Sequence, residues 1–196
     1  GQPLANVRVW GGGGARMVGV VGFKRGRLME AVPDAVCAYN ENHEQTNTAK
    51  GLLKALRGSA DGPVLWMNGD VVFDAEVLRR LRGFLDQGRS AIAVNTSVVA
   101  EEEVKYTVSE DGCVRELSKQ VQDGLGEAVG INLISATDKP ALIARLDECD
   151  EQDYFEKGIE LAIQHDGVKI TPVDISDLFA VEVDFAEDLE RANLFV

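Results

Sequence analysis

Cysteine and histidine are scarce in this chain of 196 residues. Cys37, Cys113 and Cys149 are odd in number and widely spaced, no Cys-x-x-Cys occurs, and there are two histidines. Neither a disulfide framework nor a zinc site is indicated, and such cysteine usage suits a reducing cytoplasm. No apolar run approaches the roughly 18 residues of a membrane span. The N-terminus also lacks the charged-then-apolar order of a signal peptide. A soluble, cytoplasmic protein is expected. Positive charge is the third shortage, with 20 Lys and Arg against 33 Asp and Glu and a formal charge of −13. A nonspecific grip on nucleic-acid phosphates is therefore not expected of the molecule as a whole. The deficit is uneven. Residues 1 to 60 carry eight Lys and Arg against four Asp and Glu, and residues 61 to 196 carry twelve against twenty-nine. An anionic small molecule could still bind near the first third.

With 45% hydrophobic and 27% charged residues, the composition is that of a globular protein, and the length suits one domain over 1–196. Short apolar runs alternate with segments of helical period, which marks an α/β fold. Met17 to Phe23, Ala35 to Tyr39 and Pro63 to Met67 read as buried strands of a largely parallel sheet centre. Gln45 to Arg57 reads as a helix with an apolar stripe at Leu52, Leu53 and Leu56. A second helix begins after Asp74, with Val77, Leu78, Leu81 and Leu85 in period and Gly88 past its end. From residue 90 the strands shorten: 91–94, 104–108, 113–117 and 128–134, with a hairpin turn at Glu110-Asp111-Gly112. Helices over 139–146 and 154–164, strands over 168–173 and 180–183, and a helix over 185–193 complete the order. Leu4 to Trp10 has helical apolar spacing, but Gly11 to Gly14 should end or loosen any helix there.

The sharpest local feature is Leu65-Trp66-Met67-Asn68-Gly69-Asp70, an apolar strand ending in a carboxylate. In open parallel sheets ligands sit beyond the carboxyl ends of the strands. A plain turn-capping role for Asp70 is the alternative. Asp184 closes Val181-Glu182-Val183-Asp184 in the same strand-to-helix position. It too could be only an N-cap, since Glu187 completes a capping-box-like pattern. Together the two could hold one magnesium ion, which takes oxygen ligands and leaves room for water and phosphate. His43 and His165 lie in polar stretches and are expected at the surface.

These segments resemble the nucleotidyltransferases that join a nucleoside triphosphate to a sugar phosphate or to phosphocholine. Tyr39-Asn40 with Gln45 to Leu53, Asn68-Gly69-Asp70-Val71-Val72-Phe73, Val104-Lys105-Tyr106, Leu117-Ser118-Lys119, Gly126 to Ile131, Tyr154 to Glu160 and Glu182 to Leu189 come in the family's order. The last two are most similar to the phosphocholine-type cytidylyltransferase branch. The resemblance implies a Rossmann-like three-layer fold with a mixed, mostly parallel central sheet and a smaller hairpin-rich acceptor-binding part. It also implies that Asp70 and Asp184 ligate Mg2+ on the triphosphate and that Lys119, with help from Lys105, contacts the acceptor's phosphate. Glu127 and Gly130 would line the acceptor pocket, and Asn47 would lie near the nucleoside. The implied chemistry is in-line attack on the α-phosphorus with release of pyrophosphate, which asks mainly for positioning and neutralisation of charge. Solvated strand lysines are the alternative reading of Lys105 and Lys119, and a solvent-facing side chain that of Glu127.

One departure stands out. The family opens with a strand running into a glycine-rich loop that carries an arginine and, later, a lysine. Gly1-Gln2-Pro3-Leu4 already resembles the family's segment just beyond that loop, so the strand and loop are expected to be missing from these residues. A rival alignment makes Val7 to Trp10 the strand, Gly11 to Gly14 with Arg16 the loop and Lys24 the lysine. Only ten residues then separate Lys24 from the strand at Ala35. The first alignment predicts weak or no turnover by these residues, and a noncatalytic ligand-binding or regulatory module of the same fold is the competing function. A phospho-receiver or flavodoxin-like signalling domain with Asp70 as acceptor is disfavoured by the hairpin-rich half.

Overall fold

The computed structural model describes residues 5–11, 14–97, 99 and 103–195, with the backbone alone up to residue 16. Gly1 to Leu4 and Gly12–Gly13, on which part of the family alignment rests, lie outside the described residues. The chain runs β1 (Ala5–Gly11), β2 (Gly14–Val21), α1 (Arg25–Ala31), β3 (Val36–Tyr39), α2 (Thr48–Arg57), β4 (Val64–Asn68), β5 (Val71–Phe73) and α3 (Glu76–Asp86). It continues through β6 (Ser90–Asn95), β7 (Lys105–Val108), β8 (Val114–Ser118), β9 (Gly126–Ile134), α4 (Lys139–Glu148), α5 (Phe155–Asp166), β10 (Ile170–Asp174), β11 (Ala180–Glu182) and α6 (Ala186–Phe195).

The main sheet has the order β10-β6-β9-β4-β1-β2-β3, with the β7–β8 hairpin attached to β9. Strands β10, β6, β4, β2 and β3 point one way and β9 and β1 the other. The mixed, mostly parallel α/β sheet expected from the sequence is therefore present. Two apolar layers cover it. On one face α2, α4 and α5 bury Leu52, Leu56, Leu142, Leu146, Phe155 and Ile159 against Trp66, Ile92 and Ile134. On the other, α3 buries Val77 and Leu81 against Leu65, Ala93, Ile131 and Leu133. Trp66 meets Phe155 edge to face at 5.8 Å between ring centroids, a geometry that adds to the burial of both rings.

The first strand corrects the sequence reading. Residues 5–11 form an extended strand, and Gly11 pairs with Gly14 of β2. The strand lies antiparallel between β4 and β2. Without it the inward-facing N–H and C=O groups of two central strands would lack partners, a penalty that overrides local helical spacing. The strand that the rival alignment expects over Val7 to Trp10 is present, but Arg16, which that alignment places in the loop, lies in β2 opposite Val9. Helix α1 has no buried residue and no apolar period, so no local pattern marks it.

Candidate active site at the carboxyl end of β4

Strand β4 starts deep in the core, with Val64, Leu65 and Trp66 buried, and emerges at Asn68. The chain turns through Gly69-Asp70 into β5, which pairs antiparallel with β11 so that Val71 stands opposite Glu182. Val183 donates its N–H to the Asp70 carbonyl at 2.9 Å. Strand pairing thus carries Asp184 to Asp70, and the two carboxylates repel each other. Burial raises the Asp70 pKa above the usual carboxylate range, and Asp184 adds to the rise. The capping-box pattern at Asp184 is not used as the sequence suggested: the reach-back bond to the Phe185 N–H comes from Asp188 Oδ2, at 3.0 Å.

Three further polar side chains complete the cluster. Glu182 takes a long 3.4 Å hydrogen bond from Asn68 Nδ2. Its pKa is pushed up to about 7 by burial, then by Asp70, Glu103 and Asp184. Glu156, at the start of α5, is 8% exposed and its pKa likewise rises to about 7, through burial first and then Glu182, with Lys119 pulling it back. Asn68 Oδ1, Asp70 Oδ1 and Glu156 Oε2 are buried without a hydrogen-bond partner. Buried orphans are costly, about 1–3 kcal/mol each, a cost that polar ligand atoms reaching Asn68 and Asp70 at the end of β4 would offset. Glu156 and Glu182 carried no role in the sequence reading. Their burial comes from α5 and β11 packing over β4, which no local pattern displays.

Of the other expected residues, Gly130, Lys119 and Glu127 fall around this cluster. On one face of the sheet Trp66 and Asn68 of β4 lie beside Asn132 and Gly130 of β9, since Trp66 pairs with Asn132 and side chains alternate. Gly130 has φ +72°, and a Cβ there would stand 2.7 Å from Asn68 Nδ2, so glycine keeps Asn68 against Glu182. Lys119 lies over the Tyr154 ring at 5.4 Å and feels Glu156. Lys105 stands opposite Glu127 in the β7–β9 register. Glu127 lines a cavity of about 350 Å³ with Glu103, Glu182, Asp184, Asp188 and Arg191. Arg191 is paired with Asp188 at 3.7 Å, and the other charged side chains that line this cavity are acidic. Asn47 caps α2, its side chain accepting the Thr48 N–H at 2.8 Å, and it is not joined to the carboxylates. His43 is half-buried rather than superficial, packed on Gly22, where a Cβ would stand 2.5 Å from the His43 Cβ.

Among the described residues no three His, Cys, Asp or Glu side chains are grouped to hold a metal unaided. Two carboxylates suffice for magnesium when phosphate oxygens and water complete six ligands. The orphaned Asp70 Oδ1 and the mutual repulsion of Asp70 and Asp184 both fit such an ion. No described helix is long and apolar enough to cross a membrane.

No protein-family model and no curated protein matches the chain. Solved structures do. An inositol-1-phosphate CTP transferase from T. maritima superposes with a TM-score of 0.71 at 14% identity, over 89% of this chain and 73% of that one. A CTP:phosphocholine cytidylyltransferase from Streptococcus pneumoniae gives 0.71 at 13% identity, over 90% and 77%. A UDP-glucose pyrophosphorylase complexed with UDP-glucose gives 0.67 at 11% identity, over 90% and 78%. The chain is thus similar in architecture to sugar-phosphate and phosphocholine nucleotidyltransferases, and what it shares with them is the Rossmann-like nucleotidyltransferase fold.

Proposed function

We propose that this chain is a magnesium-dependent nucleotidyltransferase that couples a nucleoside triphosphate to a phosphorylated acceptor and releases pyrophosphate. The observation that carries this reading is the meeting of Asp70 and Asp184, with the buried unpartnered Asp70 Oδ1, at the carboxyl end of β4. Asp70 and Asp184 would hold Mg2+, which supplies charge neutralisation on the triphosphate. A phosphate oxygen of the acceptor attacks the α-phosphorus, the bond to the bridging oxygen of pyrophosphate breaks, and the electron pair leaves with pyrophosphate. Lys119, on the Tyr154 ring, orients the acceptor's phosphate, with Lys105 assisting. Glu127 and the Gly130 backbone shape the acceptor pocket, and Asn47 flanks the nucleoside. Glu103 and Glu182 at the cavity favour an acceptor that also bears a positive group, phosphocholine-like rather than an uncharged sugar phosphate.

The assay is pyrophosphate release with CTP, UTP, GTP, ATP or dTTP, Mg2+, and phosphocholine or a sugar 1-phosphate. The expected result is slow, metal-dependent release that Asp70→Asn abolishes. Release that is unchanged in Asp70→Asn overturns the reading. The antiparallel pairing of β1 with β2 favours a second reading, a noncatalytic binding module, because among the described residues the element that follows β1 is a strand and not a helix. That module would bind nucleotide or acceptor calorimetrically and never release pyrophosphate.

A further inference from the structure

The carboxylate cluster is negative throughout, yet the proposed substrate carries a triphosphate, and resting on that reading the structure must offer cations within reach. The register of β1 shows where they are. Asn6 pairs with Gly19 on β2 on one side and with Met67 on β4 on the other. Gly19 and Met67 are therefore level, and β2 and β4 run parallel. Gly22 lies three residues beyond Gly19, as Asp70 lies three beyond Met67. The carboxyl ends of β2 and β4 thus share one edge of the sheet, two strand spacings or about 10 Å apart.

Immediately after Gly22 the sequence reads Phe23-Lys24-Arg25-Gly26-Arg27, three cations in four positions. They line an open depression of about 490 Å³ with Gly22, Gly26 and Tyr39. Lys24 takes a left-handed φ of 51° at the start of α1, and the Arg25 guanidinium lies over the Tyr39 ring at 4.5 Å. Among the described residues no carboxylate lies within ion-pair distance of Lys24, Arg25 or Arg27, whereas Lys54, Arg57, Arg80 and Arg145 are all paired. Three such cations together are notable in a chain of charge −13. They account for three of the eight positive residues that make the first third basic.

We infer that Lys24, Arg25 and Arg27 form a polyphosphate-binding site at the carboxyl end of β2, which holds the β- and γ-phosphates of a nucleoside triphosphate while the α-phosphate lies toward Asp70 and Asp184. The division comes from the charges: the carboxylates repel bare phosphate, and the three cations attract it. Arg25 is preset by its ring contact, so less side-chain freedom is lost on binding. Glycines at 22 and 26 leave the depression open to phosphate oxygens.

The probe is metal-free inorganic tripolyphosphate, titrated calorimetrically into the full chain at low salt. Without metal, Asp70 and Asp184 have no attraction for it. The expected result is measurable binding that weakens as salt rises and falls at least tenfold in Lys24→Ala/Arg25→Ala/Arg27→Ala. Removal of three positive charges elsewhere, in Arg79→Ala/Arg82→Ala/Lys169→Ala, leaves the affinity within twofold. Lys24, Arg25 and Arg27 are exposed, so the first triple variant keeps the wild-type thermal transition. If the chain does not bind tripolyphosphate, or if both triple variants bind it as wild type does, the site does not exist. If binding depends on the three cations while no nucleoside triphosphate yields pyrophosphate, the site stands and the transferase reading falls.

Discussion

The backbone N–H of Val183 donates to the carbonyl of Asp70 at 2.9 Å, so two strand ends 113 positions apart close on one another and bring their acidic termini together. That single bond, with the β5–β11 pairing around it, fixes the carboxylates before any ligand arrives. Like charges held this way are unfavourable in the free protein and become useful when a cation enters, which is how a preorganised metal site differs from a turn cap.

Asp70→Asn relieves the repulsion from Asp184 and removes a partly buried charge. Thermal unfolding without metal is expected to shift up by about 2–4 °C, the equivalent of roughly 1 kcal/mol in a chain of this size. Added Mg2+ with nucleotide is expected to raise the transition of wild type and leave that of the variant unmoved.

Glu156 sets a pH dependence. Its folded pKa is about 7 against an ordinary value of 4.5, so between those values the folded state binds more protons than the unfolded one. Stability therefore falls as pH rises from 5 to 7 and is level above, a loss on the order of 3 kcal/mol from this group. Glu156→Gln carries no proton to lose. Its melting temperature is expected to fall less over that window than that of wild type, in melts at matched ionic strength.

Gly130→Ala tests the support of Asn68. An alanine must adopt φ +72° and place a Cβ 2.7 Å from Asn68 Nδ2, a combination of backbone strain and overpacking that costs about 2–4 kcal/mol. Denaturant unfolding is expected to show that loss with an unchanged m-value.

Phe155→Ala removes the partner of Trp66 and leaves a cavity between α5 and β4. The expected loss is about 3–5 kcal/mol, with a shift in Trp fluorescence of the folded state.

Much of this arrangement is legible in the sequence, for physical reasons that differ from residue to residue. Trp66 and its neighbours form an apolar run long enough to be a strand, and Asp70 stands at its polar end, so a candidate metal carboxylate emerges from position alone. The stripe of Leu52, Leu53 and Leu56 has helical period and is the buried face of α2. Residues 5–11 carry helical spacing and yet form a strand, because their conformation is decided by β2 and β4, which hold them from both sides. Glu156 and Glu182 look like ordinary acidic surface residues in one dimension, and only the packing of α5 and β11 buries them. The register that levels Gly22 with Asp70 depends on hydrogen bonds through β1, so the placement of Lys24, Arg25 and Arg27 on the same sheet edge as the carboxylates has no local signature.

The central claim is that Asp70 and Asp184 jointly hold the metal of a metal–nucleoside triphosphate complex. Electron paramagnetic resonance of Mn2+, titrated with nucleoside triphosphate into wild type, Asp70→Asn and Asp184→Asn, addresses it directly. A ternary signal in wild type that is lost in each variant is the predicted result; a ternary signal retained at wild-type strength in both variants would contradict it.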